Sequence, residues 1–418
     1  MKKILLKGPI LSRSGYGEQT RFAFRSLVSR LDKYDLYLDT ISWGKTGWIW
    51  QNDEERRFID SLLIRTQHYL KQGGTFDASL QVTIPNEWEK LAPINIGYTA
   101  GIETSAVAAE WLQKTPIVDN IIVVSEHAKS GFEGANYEMF DQNKNSLGML
   151  TCTTPIDVVP YPVRKSKPEK LDLNFETDFN FLTVAQWGPR KNLDNTIRWF
   201  IENFSDNENV GLVLKVFKFN NSTMDAFYTK EQIKESLKPF KNRKCKIYVL
   251  HGDMTDEEMT GLYVHPKIKA IINLAHGEGY GLPLFEAAYS GLPVIATDWS
   301  GHKDFLYMPS GKGKKARESG MFAKVDYTLE PVQANAVWNG VIPKGSVWCY
   351  AKKESYKLAL QDVYSNYEKH KSKANKLKAH ILKAFEEKAV YKKFVESVDK
   401  CFGTDFDSNN DQQEIVIL

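Results

Sequence analysis

His276-Gly-Glu-Gly-Tyr-Gly-Leu-Pro-Leu-Phe-Glu286 is the stretch on which the fold of this chain turns. Before it stands a short apolar run, Ala270-Ile-Ile-Asn-Leu274, of the kind that forms a buried parallel strand, and after it the sequence reads as helix. The unit is strand, glycine turn, helix. Gly277, Gly279 and Gly281 are expected to supply positive φ and close backbone approach to a ligand, and Pro283 suits a first helical turn, where its missing N–H is no loss. The free N–H groups of that turn and the helix dipole together favour an anion above the strand end. Glu278 is expected at the mouth of the turn and Glu286 about two turns into the helix. Two carboxylates would repel a phosphate, so they are expected to accept hydrogen bonds from hydroxyl groups on either side of a diphosphate, which describes a nucleotide sugar. Taken alone, a Glu near a helix start more often only complements the dipole.

Outward from this turn, apolar strands alternate with longer helical stretches, the pattern of parallel sheets covered by helices. Lys3-Ile-Leu-Leu-Lys7, Ile94-Asn-Ile-Gly97 and Ile121-Ile-Val-Val124 read as strands of a first half that ends at Val158-Val-Pro-Tyr-Pro-Val163. A charged linker, Arg164-Lys-Ser-Lys-Pro-Glu-Lys170, precedes a second set: Phe181 to Val184, Gly211 to Lys215, Lys246 to Leu250, Ala270 to Leu274 and Pro293 to Ala296. We expect an acceptor-side unit over residues 1–170, a nucleotide-sugar-binding unit over 171–385, and a crossing helix with a polar, flexible tail over 386–418. A length of 418 residues suits two such units, since single cores seldom grow past roughly 250–300 residues.

Composition excludes little and permits the rest. A 42% hydrophobic share is that of a soluble globular protein, and a net charge of +3 is too small to demand a nucleic-acid partner by its sum. The four cysteines, Cys152, Cys245, Cys349 and Cys401, have neither metal-ligand nor disulfide-framework spacing, which suggests a reducing compartment. No apolar run approaches the roughly 18 residues of a membrane span, so integral membrane association is not expected and a cytoplasmic location is. Oligomeric state is not legible. No Asp-x-Asp follows an early strand, and Asp405-Phe-Asp407 lies in the tail, so neither a metal nor any cofactor beyond the nucleotide-sugar co-substrate is expected.

The run Glu278-Gly-Tyr-Gly-Leu-Pro-Leu-Phe-Glu286-Ala resembles the signature of glycosyltransferase family 4, retaining enzymes of the GT-B fold: α/β, with two Rossmann-like doubly wound parallel-sheet domains facing across a cleft. The resemblance implies that Glu278 contacts the transferred sugar, that Glu286 contacts the ribose hydroxyls, and that the backbone of Gly279, Tyr280, Gly281 and Leu282 holds the distal phosphate. Gly15, Tyr16 and Gly17, in the loop after the first strand, would approach the donor from across the cleft. In Val184-Ala-Gln-Trp-Gly-Pro-Arg-Lys-Asn192 the family's phosphate-binding lysine matches Lys191, while its arginine falls on Gln186 and Arg190 stands next to the lysine instead. Without an anion, Arg190 and Lys191 would be slightly unfavourable charges at a helix start. His251-Gly252-Asp253 resembles the turn beside the nucleobase, or is a plain turn. Thr297-Asp-Trp-Ser-Gly301 with Asp304 matches the last glycine turn of the family. Glu103, in Tyr98-Thr-Ala-Gly-Ile-Glu-Thr104, either orients an acceptor hydroxyl or starts a helix, and His276 either contacts the sugar or lines the pocket.

For the acceptor, Asp298 to Pro309 and Phe322 to Tyr327 look like the branch of the family found in tailed bacteriophages. Between them, Ser310-Gly-Lys-Gly-Lys-Lys-Ala-Arg317 brings Lys312, Lys314, Lys315 and Arg317 together as a flexible insertion able to reach phosphates of a polymer, or simply as a solvated loop. The reading is a metal-independent, retaining transferase using a UDP-linked sugar, with hydroxymethylated bases of phage DNA placed first as acceptor and host cytoplasm as location. A glycan, polysaccharide or lipid-linked acceptor is the alternative. Trp43, Trp48, Trp50, Arg21 and Arg25 could serve either surface. A non-catalytic nucleotide-sugar-binding protein is the reading from another class, since the scaffold alone fixes no activity.

Overall fold

The computed structural model describes residues 1–311 and 317–403. The first half holds β1 (Lys2–Gly8), α1 (Gly15–Val28), β2 (Tyr34–Thr40), α2 (Glu54–Lys71), β3 (Ala78–Val82), β4 (Ile94–Thr99), α3 (Ala109–Lys114), β5 (Asn120–Val123), α4 (Glu126–Glu133), the hairpin β6 (Tyr137–Phe140) and β7 (Ser146–Leu150), and β8 (Ile156–Val158). The second holds β9 (Phe179–Gln186), α5 (Leu193–Phe204), β10 (Val210–Phe217), α6 (Thr223–Leu237), β11 (Lys246–Leu250), α7 (Asp256–Tyr263), β12 (Ile268–Asn273), α8 (Leu282–Ser290), β13 (Val294–Thr297), α9 (Lys303–Leu306), β14 (Tyr307–Ser310), β15 (Arg317–Gly320), β16 (Ala323–Val325), β17 (Tyr327–Pro331), β18 (Val347–Ala351), α10 (Lys353–Ser365), α11 (Tyr367–Ala384) and α12 (Glu387–Asp399).

Each half is built on a six-stranded parallel sheet, ordered β2-β1-β3-β4-β5-β8 in the first and β11-β10-β9-β12-β13-β16 in the second. Strand order reverses between β1 and β3 in one sheet and between β9 and β12 in the other, and in open α/β sheets ligands bind in the crevice at such a point, beyond the carboxyl ends of the strands. The apolar runs that announce the strands are apolar on both faces because both faces are covered. In β5, Ile122 faces the core shared with α1 and α12, while Ile121 and Val123 face a separate cluster under α3 and α4.

Strand ends of the two halves meet. Ser125 Oγ, before α4, donates to Gly279 O at 2.6 Å, the Glu126 amide donates to Asp304 Oδ2 at 2.8 Å, and Arg13, after β1, stands 3.6 Å from Asp253, after β11. Apolar packing continues across the seam, where Tyr161 and Tyr280 have ring centroids 5.1 Å apart. From the far end of the chain α12 returns to the first half, with Phe394 5.2 Å from Phe22 and Asp399 2.9 Å from Lys33. Among the described residues, no helix is long and apolar enough to cross a membrane.

Candidate functional site

Glu278 lies at the centre of the seam and is not at a mouth: it is only 5% exposed. Lys191 Nζ donates to its Oε1 at 2.5 Å, Asn273 Nδ2 to the same oxygen at 2.8 Å, and Arg190 to Oε2 at 3.0 Å. Arg190 also donates to Gly277 O at 2.7 Å and pairs with Glu103 of the first half at 3.2 Å. Burial opposes the charge on Glu278, but Lys191 and Arg190 overcome it and hold the carboxyl well below the usual range. Burial lowers the Lys191 pKa, and Arg190 beside it lowers it further. The centre is therefore two cations matched by two carboxylates, drawn from β4, β9 and β12 ends. Arg190 and Lys191 sit in a single 3-10 turn, Pro189–Lys191, ahead of α5, and Gln186 is exposed with its amide turned to Lys218 O at 3.0 Å. Arg190, not Gln186, reaches the centre.

The glycine turn departs from expectation in one respect. Only Gly281 has positive φ (+92°), where it caps α8; Gly277 and Gly279 do not. Their reason is space: a Cβ on Gly277 would lie 2.1 Å from Glu103 O, and one on Gly279 2.6 Å from Ala100 O. The bare backbone admits the opposite half. At the start of α8, Gly279, Tyr280 and Gly281 are buried, and their amides and that of Leu282 donate to no acceptor among the described residues. Buried amides are nearly always paired, so such a row at a helix start is suited to take up an anion. The Tyr280 ring is core, 5.0 Å from Phe305 and 5.3 Å from Phe285, which leaves only its backbone for a ligand. Pro283 occupies the first turn as expected.

Glu286 is the fifth residue of α8, one turn in and not two. Tyr263 OH donates to it at 2.7 Å, and burial pushes its pKa up to about 7. Asp256, Glu18 and Arg164 bear on it electrostatically. Glu18 belongs to the loop-and-helix unit of Gly15, Tyr16 and Gly17: Ser14 caps α1 by accepting from the Gly17 amide at 3.0 Å, and a Cβ on Gly17 would strike Ser12 O. Tyr16 OH bonds Thr99 Oγ1 at 2.8 Å and its ring lies 4.3 Å from Trp43. Gly15 has open space around it.

His276 is a packed residue. Its Nδ1 bonds Cys349 O at 2.7 Å and its ring stacks on Trp348 at 4.8 Å; burial lowers its pKa, which favours the neutral imidazole. These contacts hold the turn to β18. His251, Gly252 and Asp253 follow β11; Gly252 has φ +109° and its carbonyl accepts from Lys215, and Asp253 accepts from Asn221 at 2.9 Å as well as facing Arg13. Arg317 is exposed and pairs with Ser310 in the β14–β15 ribbon, while Lys312, Lys314 and Lys315 lie outside the described residues, as does the tail beyond 403. Among the described residues no group of three or more His, Cys, Asp or Glu is placed to hold a metal ion.

Of the residues that complete the site, Asn273 carries no sequence signal, while Ser300 stands in the Thr297–Gly301 turn that the resemblance marks. Asn273 looks like the polar end of an apolar strand. Ser300 accepts from the Glu278 amide at 3.0 Å, and its hydroxyl faces His302 Nδ1 at 3.4 Å, with His302 Nε2 against Thr297 O at 2.7 Å. With Nε2–H donating to that carbonyl, Nδ1 is left to accept from Ser300, so the relay steadies the turn under Glu278. Ser300 does this at φ +82°, a conformation that non-glycine residues rarely adopt. Arg13, Lys215 and Arg164 enter the cleft through tertiary placement alone.

No family model matches the chain. The serotype-specific mannosyltransferase WbdA of Escherichia coli is 31% identical over 119 residues, a stretch that covers 28% of this chain and only 13% of that protein. Among solved structures, a sucrose-phosphate synthase from Thermosynechococcus elongatus superposes with a TM-score of 0.62 at 11% identity, over 96% of this chain and 99% of that one. HepE of Anabaena, solved with UDP and glucose, gives 0.56 at 13% identity over 96% and 100%, and a glycosyltransferase from Rickettsia africae gives 0.56 at 14% over 96% and 99%. Two parallel six-stranded sheets, meeting at their strand ends and superposable nearly end to end on these enzymes, make this a GT-B fold.

Proposed function

We propose that the chain is a retaining, metal-independent glycosyltransferase of the family 4 type, which moves a sugar from a UDP-linked donor to an acceptor hydroxyl. The observation that carries the reading is the pairing of Arg190 and Lys191, at the end of β9, with the unpaired amides of Gly279 to Leu282, at the end of β12. These two strand ends flank the reversal of strand order, and cations opposite a helix start suit a diphosphate. A diphosphate between them competes with Glu278 for both cations, and the carboxylate so released accepts hydrogen bonds from the sugar. As the bond from the anomeric carbon to the phosphate oxygen breaks, the cations and amides take up the charge on the leaving diphosphate. On this reading the leaving phosphate oxygen accepts the proton of the acceptor hydroxyl, and the new bond forms on the same face. Support comes from Glu103, which is tied to Arg190 at 3.2 Å and so does not stand free as nucleophile or base. HepE, which shares the fold, holds UDP and glucose.

For the acceptor we carry two readings. Hydroxymethylated DNA rests on the cationic run from Lys312 to Arg317. A glycan rests on the partial likeness to a mannosyltransferase. The test incubates the chain with UDP-glucose, UDP-galactose, UDP-N-acetylglucosamine and GDP-mannose, each with hydroxymethylated DNA or an oligosaccharide panel, and follows nucleotide release and the anomeric configuration of the product. Acceptor-dependent release with an inverted product overturns the retaining mechanism. Donor binding with no release in any combination makes the chain a sensor instead.

A further inference from the structure

Among the described residues, two segments of the second half reach back onto the first sheet, and they hold opposite faces of it. One is α12, on the face of Ile122 and Phe22. The other is the excursion between β17 and β18, residues 332–346. At its base the Val332 amide donates to Ser346 O at 3.0 Å, and near its tip Trp338 and Ile342 form an antiparallel bridge. Val341 is 6% exposed, in one cluster with Trp88, Trp111, Leu112 and Ile121 of the first half. Gly340, at φ +72°, turns the tip so that its carbonyl accepts from Asn86 Nδ2 at 3.0 Å. Ser105 closes the base, its amide donating to Val347 O at 2.9 Å and its hydroxyl accepting from the Val347 amide at 3.1 Å. In between, the turn Ala334–Ala336 rests against Pro189–Lys191, the turn that carries both central cations.

We propose that residues 332–346 are a strap that keeps the two halves closed without ligand and positions the Arg190–Lys191 turn, so that a donor enters by opening of the far edge. A sheet held on one face alone can swing about that contact, whereas one held on both faces has lost that freedom. The far edge is where Arg13 meets Asp253 at 3.6 Å, a longer contact than those at the centre. Val341 and Asn86 are positioning residues under this proposal; they touch neither the cations nor a ligand, and act through the 334–336 turn. The second clause rests on the donor reading of Arg190 and Lys191, while the first does not.

The test compares the native chain with Val341→Ser/Ile342→Ser and with Asn86→Ala, which cuts one cross-link without opening the apolar cluster. Small-angle scattering with and without UDP reads closure, and calorimetry reads UDP affinity. The native chain is expected to keep one radius of gyration with and without UDP. The double variant is expected to be larger without UDP, to contract with it, and to bind it about tenfold more weakly, because exposing one or two buried aliphatic side chains shifts the closed-to-open ratio by at least that much. Asn86→Ala should move in the same direction by less. Variants that scatter as the native chain does, or a native chain that contracts on UDP as far as the variants, overturn the strap. Expanded ligand-free variants alongside a native chain that binds no UDP uphold the strap and overturn the donor reading.

Discussion

Glu278→Gln separates the two roles of the central carboxylate. In the native centre Arg190 and Lys191 are both held by Glu278, at 3.0 and 2.5 Å, and Glu103 takes one further contact with Arg190 at 3.2 Å. The substitution keeps the shape and an acceptor oxygen but leaves the cluster with one uncompensated positive charge. Breaking a buried pair from one side costs about 3–5 kcal/mol of stability, because the partner charge stays behind in a poor solvent. Glu278 is 5% exposed, and the cations remain partly exposed, so the lower end of that range applies. A diphosphate restores the balance. UDP should therefore bind Glu278→Gln more tightly than the native chain, by roughly 1.5–3 kcal/mol or about 10- to 100-fold, the worth of charge-assisted hydrogen bonds no longer contested by Glu278. Transfer should fall steeply, since the acceptor oxygen left to the sugar no longer carries charge. Calorimetric titration with UDP, thermal melts with and without UDP, and acceptor-dependent UDP release read the three effects separately. The expected pattern is a lower melting temperature without ligand, a larger rise on UDP than the native chain shows, and little turnover. If UDP binds the variant no more tightly than the native chain, the cations are not the diphosphate site, and the exchange of partners at the centre is refuted.

Other predictions follow from neighbouring features. Burial raises the Glu286 pKa from 4.5 to about 7, so its contribution to stability is full below the unfolded value and is lost as pH rises through 7; the native chain should match Glu286→Gln near about pH 4 and fall below it by about 3 kcal/mol near about pH 8 in urea melts. Nucleotide affinity should run the opposite way, rising toward about pH 7 as the carboxylate becomes the better acceptor for ribose hydroxyls, and a flat profile by calorimetry would remove Glu286 from the site. Gly277→Ala places a Cβ 2.1 Å from Glu103 O and should weaken closure by about 1–3 kcal/mol, seen as expansion in scattering with secondary structure intact. Replacing Lys312, Lys314, Lys315 and Arg317 by Ser should flatten the salt dependence of DNA binding by roughly 0.9 per lost phosphate contact, with donor hydrolysis unchanged; native protein that shows no salt-dependent DNA binding excludes the DNA acceptor. Chelators should leave transfer intact, and a loss that magnesium restores would contradict the metal-independent mechanism.

What could be read in the sequence was what has a local cause. Ile121 to Val124 announces a strand covered on both faces because every residue in it is apolar, and Gly281-Leu-Pro283 announces a helix start because a left-handed cap and a proline in the first turn are local requirements. Gly277 and Gly279 look the same in sequence, but their need is for room against Glu103 and Ala100, some 180 residues away, and no local pattern distinguishes the two uses of glycine. Arg13 and Lys215 were missed for the same reason: each is an ordinary loop or strand residue until the two sheets face each other. The strap is the clearest case, since Val341 and Ile342 stand in a segment that reads as loop, and the opposite half supplies the Trp88 and Trp111 against which they pack.

Where the resemblance leads one to expect an arginine the chain has Gln186, and the charge at the centre comes from Arg190 instead. Gln186 ends β9 and turns outward to Lys218, so a cation there would face away from Glu278. Arg190 follows Pro189 in a tight turn whose end, Asn192, lies at φ +51°, and that turn aims both Arg190 and Lys191 back across the end of β12. The Asn192 side chain fastens the turn to Leu274 O at 3.2 Å, and the His276 amide fastens it again by donating to Arg190 O at 2.8 Å. The central charge thus depends on the conformation of residues 188–192 rather than on which of them is the arginine. Arg190→Lys tests the point: a lysine keeps the charge but cannot hold Gly277 O, Glu278 and Glu103 at once with a planar fork. UDP binding should survive within about tenfold, because the net charge is unchanged, while transfer falls further as Glu103 and the first half lose their register on the turn. Equal losses in binding and transfer would mean that Arg190 supplies charge alone, and that the link from the phosphate turn to the opposite half has no part in the reaction.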